Sequence, residues 1–171
     1  MKSNAIYFSD NFFSAGKTSI YDENKGELGT LDLKSAFSSS LSVWDASNNL
    51  VVEGRFRFFT RKWFVTNATG HELGTLRQKW SFFTKKYEYE TNGRGTYLII
   101  SEGFSKEYRV LNQNEQIVAH FEKKSNFFQS DAYKLTNNSD ELSNEELVAM
   151  VMGITMIIKQ NHSAASSPAA T

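Results

Sequence analysis

The sequence has no cysteine, a single proline and only ten glycines in 171 residues. Without cysteine there is no disulfide scaffold, no thiol catalysis and no cysteine-ligated zinc site. Neither acidic nor basic residues are in excess. The 19 basic and 19 acidic residues cancel, which argues against a strongly basic nucleic-acid binder and against an acidic disordered chain. Long hydrophobic runs are absent. The longest, Leu147 to Ile158, spans 12 residues and includes Gly153 and Thr155, whereas a membrane-spanning helix needs about 20. Near the start, Ala5-Ile6-Tyr7-Phe8 is interrupted by Ser9 and Asp10, short of the roughly 7–15 apolar residues of an export signal. The expected location is therefore cytoplasmic, and the sequons at Asn67, Asn137 and Asn161 read as coincidence.

What the chain has is aromatic side chains, 14% of residues with 14 Phe among them. Its length fits one domain. Area scaling leaves roughly 8,500 Å² exposed of roughly 28,000 Å² in the unfolded chain, enough burial for a core without staples. The segment Glu27-Leu28-Gly29-Thr30-Leu31 recurs as Glu72-Leu73-Gly74-Thr75-Leu76, a shift of 45. The same shift relates Ile20 to Val65 and Val110, Asp22 to Asn67 and Asn112, Lys34 to Lys79 and Lys124, and Phe37 to Phe82 and Phe127. Three copies thus run from about Phe12 to Leu135.

Each copy divides again. Phe13, Phe37, Phe59, Phe83, Phe104 and Phe128 follow one another at intervals of 24, 22, 24, 21 and 24 residues. Between them lie β-rich stretches and turns rich in Asn, Asp and Gly: Asp22 to Gly26, Asp45 to Asn49, Asn67 to Gly70, Asn92 to Gly95 and Asn112 to Asn114. Aromatic and β-branched strands bounded by such turns are hairpins. Six units of two strands predict 12 strands. A stack of hairpins such as a solenoid or small propeller is the alternative, but three copies are too few blades to close. A closed barrel leaves no open edges and is the expected architecture.

After the hairpins the pattern changes. Ser143 and Glu146 form a capping-box pattern, and Leu142 and Leu147 are placed for a hydrophobic staple. A helix is predicted over 144–160, with a disordered tail over 161–171. Its stretch from Leu147 to Ile158 is apolar on every side, so it belongs inside the fold. The dipole alone accounts for Glu145 and Glu146 in its first turn. Twelve tilted strands enclose a radius of roughly 12 Å, room for one helix with its side chains. The sequence therefore predicts an all-β barrel of about 12 strands, closed around a hydrophobic C-terminal helix, as one domain over 7–160.

This architecture, with the segment Asn11-Phe12-Phe13-Ser14-Ala15-Gly16-Lys17-Thr18-Ser19-Ile20-Tyr21-Asp22-Glu23-Asn24, resembles the tubby-like superfamily and most closely its LURP-one-related branch. Phospholipid scramblases are a further branch. The resemblance implies a non-enzymatic binding module, with phosphoinositide binding in tubby and lipid movement in scramblases as the relatives' activities. Two departures stand out. The Cys-rich and calcium-binding segments of scramblases are missing, and no residue of tubby's cationic headgroup site is carried over onto this sequence.

Catalytic motifs find little support. His71, His120 and His162 lack the spacing of a zinc site. Gly16-Lys17-Thr18 ends like a phosphate-binding loop, yet Asn11 stands where its first glycine belongs. Asp22 to Glu27 lacks calcium-loop spacing and reads as a turn. No catalytic residue, metal or cofactor is assigned. The one local bias is basic and aromatic: Arg55-Phe56-Arg57-Phe58-Phe59-Thr60-Arg61-Lys62-Trp63, echoed by Lys79-Trp80-Ser81-Phe82-Phe83-Thr84-Lys85-Lys86-Tyr87. Simple alternation, Phe inward and cations solvated, is one reading. The other gathers Arg61, Lys62, Lys85 and Lys86 at adjacent hairpin ends as a rim for anionic lipid headgroups. The functional expectation is a monomeric module at the membrane periphery that binds anionic lipid or a protein, and not nucleic acid. A lipocalin-like carrier of small molecules is the alternative, which a lumen-filling helix disfavours.

Overall fold

A computed structural model describes residues 1, 3–14, 16–34, 40–81, 84–101, 106–125, 127–128 and 132–165. Phe37, Phe82, Phe83 and Phe104 of the repeat pattern, and residues 166–171 of the expected tail, lie outside the described residues. Twelve strands are present among those described: β1 (Ala5–Ser9), β2 (Gly16–Tyr21), β3 (Glu27–Leu33), β4 (Ser40–Asp45), β5 (Leu50–Phe56), β6 (Trp63–Asn67), β7 (Glu72–Lys79), β8 (Lys85–Thr91), β9 (Thr96–Ser101), β10 (Tyr108–Leu111), β11 (Ile117–Lys124) and β12 (Ala132–Asn137). Each pairs antiparallel with its chain neighbours, and β1 pairs with β12, closing the barrel.

The repeat is visible in the hydrogen-bond register. Ile20 faces Gly29, Val65 faces Gly74 and Val110 faces Ala119, and the ladder slips by a bulge immediately after each of these pairs. Asp22, Asn67 and Asn112 then close the hairpins in the same way. One side-chain oxygen accepts the backbone N–H two and four residues on, as from Asn24 and Gly26 to Asp22 at 2.8 and 2.7 Å. Asp45 repeats the device with Ser47 and Asn49. Short side chains that bond their own backbone two residues on are the reason Asx residues hold these turns.

Helix α1 (Asn144–Ala165) follows β12 and threads the lumen. Leu147, Ala149, Met150, Val151, Met152 and Ile154 are completely buried, and Leu142 and Leu147 are both in the core. The helix lies nearest the wall of β4 to β7. Small residues there make the approach possible. A Cβ on Gly153 would stand 2.4 Å from Trp63 Cδ1, and one on Gly54 would stand 2.5 Å from Trp63 Cζ2. The indole is wedged between them and donates Nε1–H to the Ala149 carbonyl at 3.1 Å. Other parts of the lumen are filled by aromatics, with Phe13, Phe121 and Tyr133 in edge or stacked contact at 5.1–6.0 Å.

The helix runs to Ala165, past the expected end at Gln160. No proline or glycine intervenes before Pro168. Asn161 Nδ2 donates to Gln78 Oε1 at 2.7 Å and ties the extension to β7.

Candidate functional site

An up-and-down barrel has two unlike ends. The five tight turns and the start of α1 lie at one, here the turn end; the connections β1–β2, β3–β4, β5–β6, β7–β8, β9–β10 and β11–β12 lie at the other, the loop end.

Glu145 and Glu146 require a correction. The dipole is not their sole explanation. Ser143 Oγ accepts the Glu146 N–H at 3.1 Å, which is half of a capping box. The Glu146 side chain does not complete the box, because Arg94 takes it in a two-pronged ion pair at 2.7 and 2.8 Å. Tyr89 donates to the same carboxylate at 2.7 Å. Arg94 Nη1 and Nη2 also donate to the carbonyls of Glu141 and Leu73. Hydrogen bonding to Glu146 raises the Arg94 guanidinium above its usual value. Burial, then the charge of Glu146, pushes the Tyr89 phenol well above its own. Glu145 pairs with the Met1 ammonium. These groups satisfy one another and hold the helix in place.

The loop end is different. A cleft of about 530 Å³ opens where α1 leaves the barrel. Arg61, Lys62, Arg77, Lys79, Trp80 and Ile157 contribute to its lining. Arg77 and Lys79 both bind Glu88, the lysine at 2.8 Å; Lys79 first and then Arg77 hold that carboxyl below its usual range. Arg57 stacks 3.8 Å over the Phe64 ring and reaches Glu72 at 2.7 Å. Arg61 and Lys62 are exposed and carry no ion pair among the described residues.

Arg61 and Lys62 are thus brought together in the cleft. Lys85 and Lys86 are not among its lining residues. They begin β8 on opposite faces, half-buried. Lys86 stands opposite Lys79, on the outer face. Lys85 stands opposite buried Ser101, on the inner face.

Aromatic exposure at this end was missed by the alternation reading. Arg55 is exposed and Phe56 packs edge-on against Trp63 at 5.2 Å, as alternation requires. Phe58, Phe59 and Trp80 break the rule at 90%, 100% and 81% exposure. A second hollow of about 380 Å³ is lined by Phe56 to Arg61 and Gln160. The signal was in the sequence as paired Phe beyond the last strand residue, where alternation no longer applies.

Charge divides the ends too. Carboxylates dominate the turn end, among them Asp22, Glu23, Glu27, Asp45, Glu72 and Glu115. Lysine and arginine dominate the loop end, among them Lys17, Lys34, Arg61, Lys62, Lys85 and Lys86. The histidines do not converge: His71 closes a turn, His120 lies opposite Arg109 on the barrel wall and His162 is near the helix end. Gly16-Lys17-Thr18 is a strand segment with Thr18 buried.

A model of the LURP-one-related family matches residues 6–159. The X-ray structure of a protein from Arabidopsis thaliana is similar in fold, with a TM-score of 0.56 at 14% identity, covering 92% of this chain and 91% of that one. At that identity the likeness speaks for the fold alone. Among curated proteins none matches.

Proposed function

This chain belongs to the LURP-one-related family, and from that membership and the geometry of its loop end we propose a non-enzymatic binding module that engages anionic lipid headgroups. It acts as a monomer at the periphery of a membrane. The observation that carries this reading is the unpaired Arg61 and Lys62 in an open cleft beside exposed aromatics. Lys86 extends the cationic surface along the outer wall, and Lys85 lies at the inner rim. The lumen, where a lipocalin-like carrier holds its ligand, is filled by α1.

Each basic residue near an anionic bilayer contributes about 1 kcal/mol. Sedimentation of the full chain with phosphatidylcholine vesicles, with and without phosphatidylserine, tests the reading. Binding is expected only with the anionic lipid. Arg61→Ser with Lys62→Ser should weaken it by about 2 kcal/mol at low salt, and adding Lys85→Ser and Lys86→Ser should weaken it further. The differences should shrink as the screening length falls from about 10 Å at 0.1 M to about 3 Å at 1 M salt. Equal sedimentation with neutral and anionic vesicles rejects the headgroup reading and leaves a protein partner.

A further inference from the structure

We propose that the β5–β6 loop is a membrane wedge: Phe58 and Phe59 enter the acyl region of an anionic bilayer, Trp80 rests at headgroup depth, and the barrel stands on the membrane by its loop end. This rests on the headgroup reading above and adds to it a depth, an orientation and a hydrophobic component.

Three observations carry it. The first is exposure. Phe58 and Phe59 touch each other, ring centres 5.3 Å apart, and are otherwise left to water at 90% and 100%. Large apolar side chains gathered on a rim of polar residues mark a surface that meets a membrane or a partner.

The second is backbone conformation. Phe59 has φ +59°. A bulky residue is an outlier in this left-handed region, which glycine or asparagine occupies at less cost. Among the described residues the other non-glycine positions with positive φ, Lys25, Asn48 and Glu115, all sit in turns at the opposite end. At the loop end the Thr60 N–H bonds the Arg57 carbonyl at 3.2 Å, and Thr60 Oγ1 bonds the same carbonyl at 3.1 Å. The turn holds Phe58 and Phe59 at its apex, and strain retained at such a position points to use of the side chain.

The third is charge. The rings are followed at once by exposed Arg61 and Lys62, which have no ion pair among the described residues, on the end of the barrel where cations gather, while carboxylates gather at the far end. A molecule so polarised turns its loop end toward a negative surface. A bilayer is the occupant that takes both features together, headgroups for the cations and acyl chains for the rings. Trp80, in the wall of the adjoining cleft, is placed for the interfacial depth that tryptophan prefers.

Trp80 is also the reporter, since Trp63 is fully buried and Trp44 half-buried. The full chain is mixed with phosphatidylcholine–phosphatidylserine vesicles containing brominated acyl chains. Bromine should quench part of the tryptophan emission of the wild type, and Trp80→Phe should abolish the quenched part. Phe58→Ser with Phe59→Ser should weaken binding about tenfold or more while leaving the salt dependence of the remaining binding unchanged. Phe58→Leu with Phe59→Leu should restore it. Undiminished binding of the serine variant, or absence of quenching in a bound wild type, overturns the wedge and leaves headgroup attraction standing. A wild type that binds neither vesicle overturns both.

Discussion

The two ends of this barrel are made by the same repeated hairpin, yet one end is closed on itself and the other is left open. At the turn end Asx oxygens cap backbone N–H groups, and Arg94 is shared among Glu146, Leu73 and Glu141. At the loop end Arg61 and Lys62, together with Phe58, Phe59 and Trp80, face solvent. Sequence repetition thus sets the strands and their register, while the exposed aromatics and the cleft lie at connections that escape the repeat.

The largest effect that would break the comparison is expected from Arg94→Leu. Glu146 would be left 3% exposed without its cation, and removing one partner of a buried pair costs about 3–5 kcal/mol. Urea denaturation should register that loss, whereas Arg61→Ser, at the open end, should stay within about 0.5 kcal/mol.

Alkali should sharpen the contrast next. Burial raises the phenols of Tyr87 and Tyr89 and pushes Tyr108 up to about 12. The unfolded chain ionises its tyrosines from about pH 10, and the fold keeps these three protonated. Their contribution is therefore complete below about pH 10 and declines as pH rises, by about 1.4 kcal/mol per unit for each phenol until its folded value is reached. Thermal melts between pH 9 and pH 11 (roughly the span in which free phenols begin to titrate) should show a steep fall in Tm, with little change from pH 7 to pH 9.

A smaller effect separates two of these tyrosines. Tyr89→Phe removes the hydrogen bond to a buried carboxylate and should cost about 1–3 kcal/mol. The Tyr87 hydroxyl is buried with no hydrogen-bond partner among the described residues, so Tyr87→Phe should be neutral or stabilising in the same urea titration. The smallest effect belongs to the loop apex. Phe58→Ser with Phe59→Ser should change folding stability by no more than about 0.5 kcal/mol, because no core contact is lost. A larger loss in calorimetry would mean that the rings pack in the folded protein.

The fold was largely legible in the chain because the features that specify it are local and periodic. Asp22, Asn67 and Asn112 announce turns by chemistry alone, and the helix declares its burial by being apolar all round. The candidate site was legible only in part. Arg61 and Lys62 were visible as a basic bias, but which of the four cations line the cleft depends on strand alternation at β8, which sends Lys85 and Lys86 to opposite faces, and on where α1 emerges. Equivalent positions in the repeat also meet different fates. Phe13 lies in the core, Phe59 in water and Phe128 against Tyr21 at 5.2 Å. Glu146 was misread because its partner Arg94 is 52 residues distant in sequence, and no local pattern reports such a pairing.

The order of the chain has a consequence for synthesis. The helix that fills the lumen is encoded after all the strands that surround it, and the strand that seals the barrel, β12, pairs with the first, β1. Hairpins can form as they leave the ribosome, but none can bury its inner face until α1 has emerged. A translating chain therefore carries a growing, uncovered sheet with an open strand at its advancing edge. Completion is one long-range event, of the kind that makes folding slow. Pausing or premature termination before residue 147 would release a sheet without its core, a species that chaperones must hold and proteases should recognise.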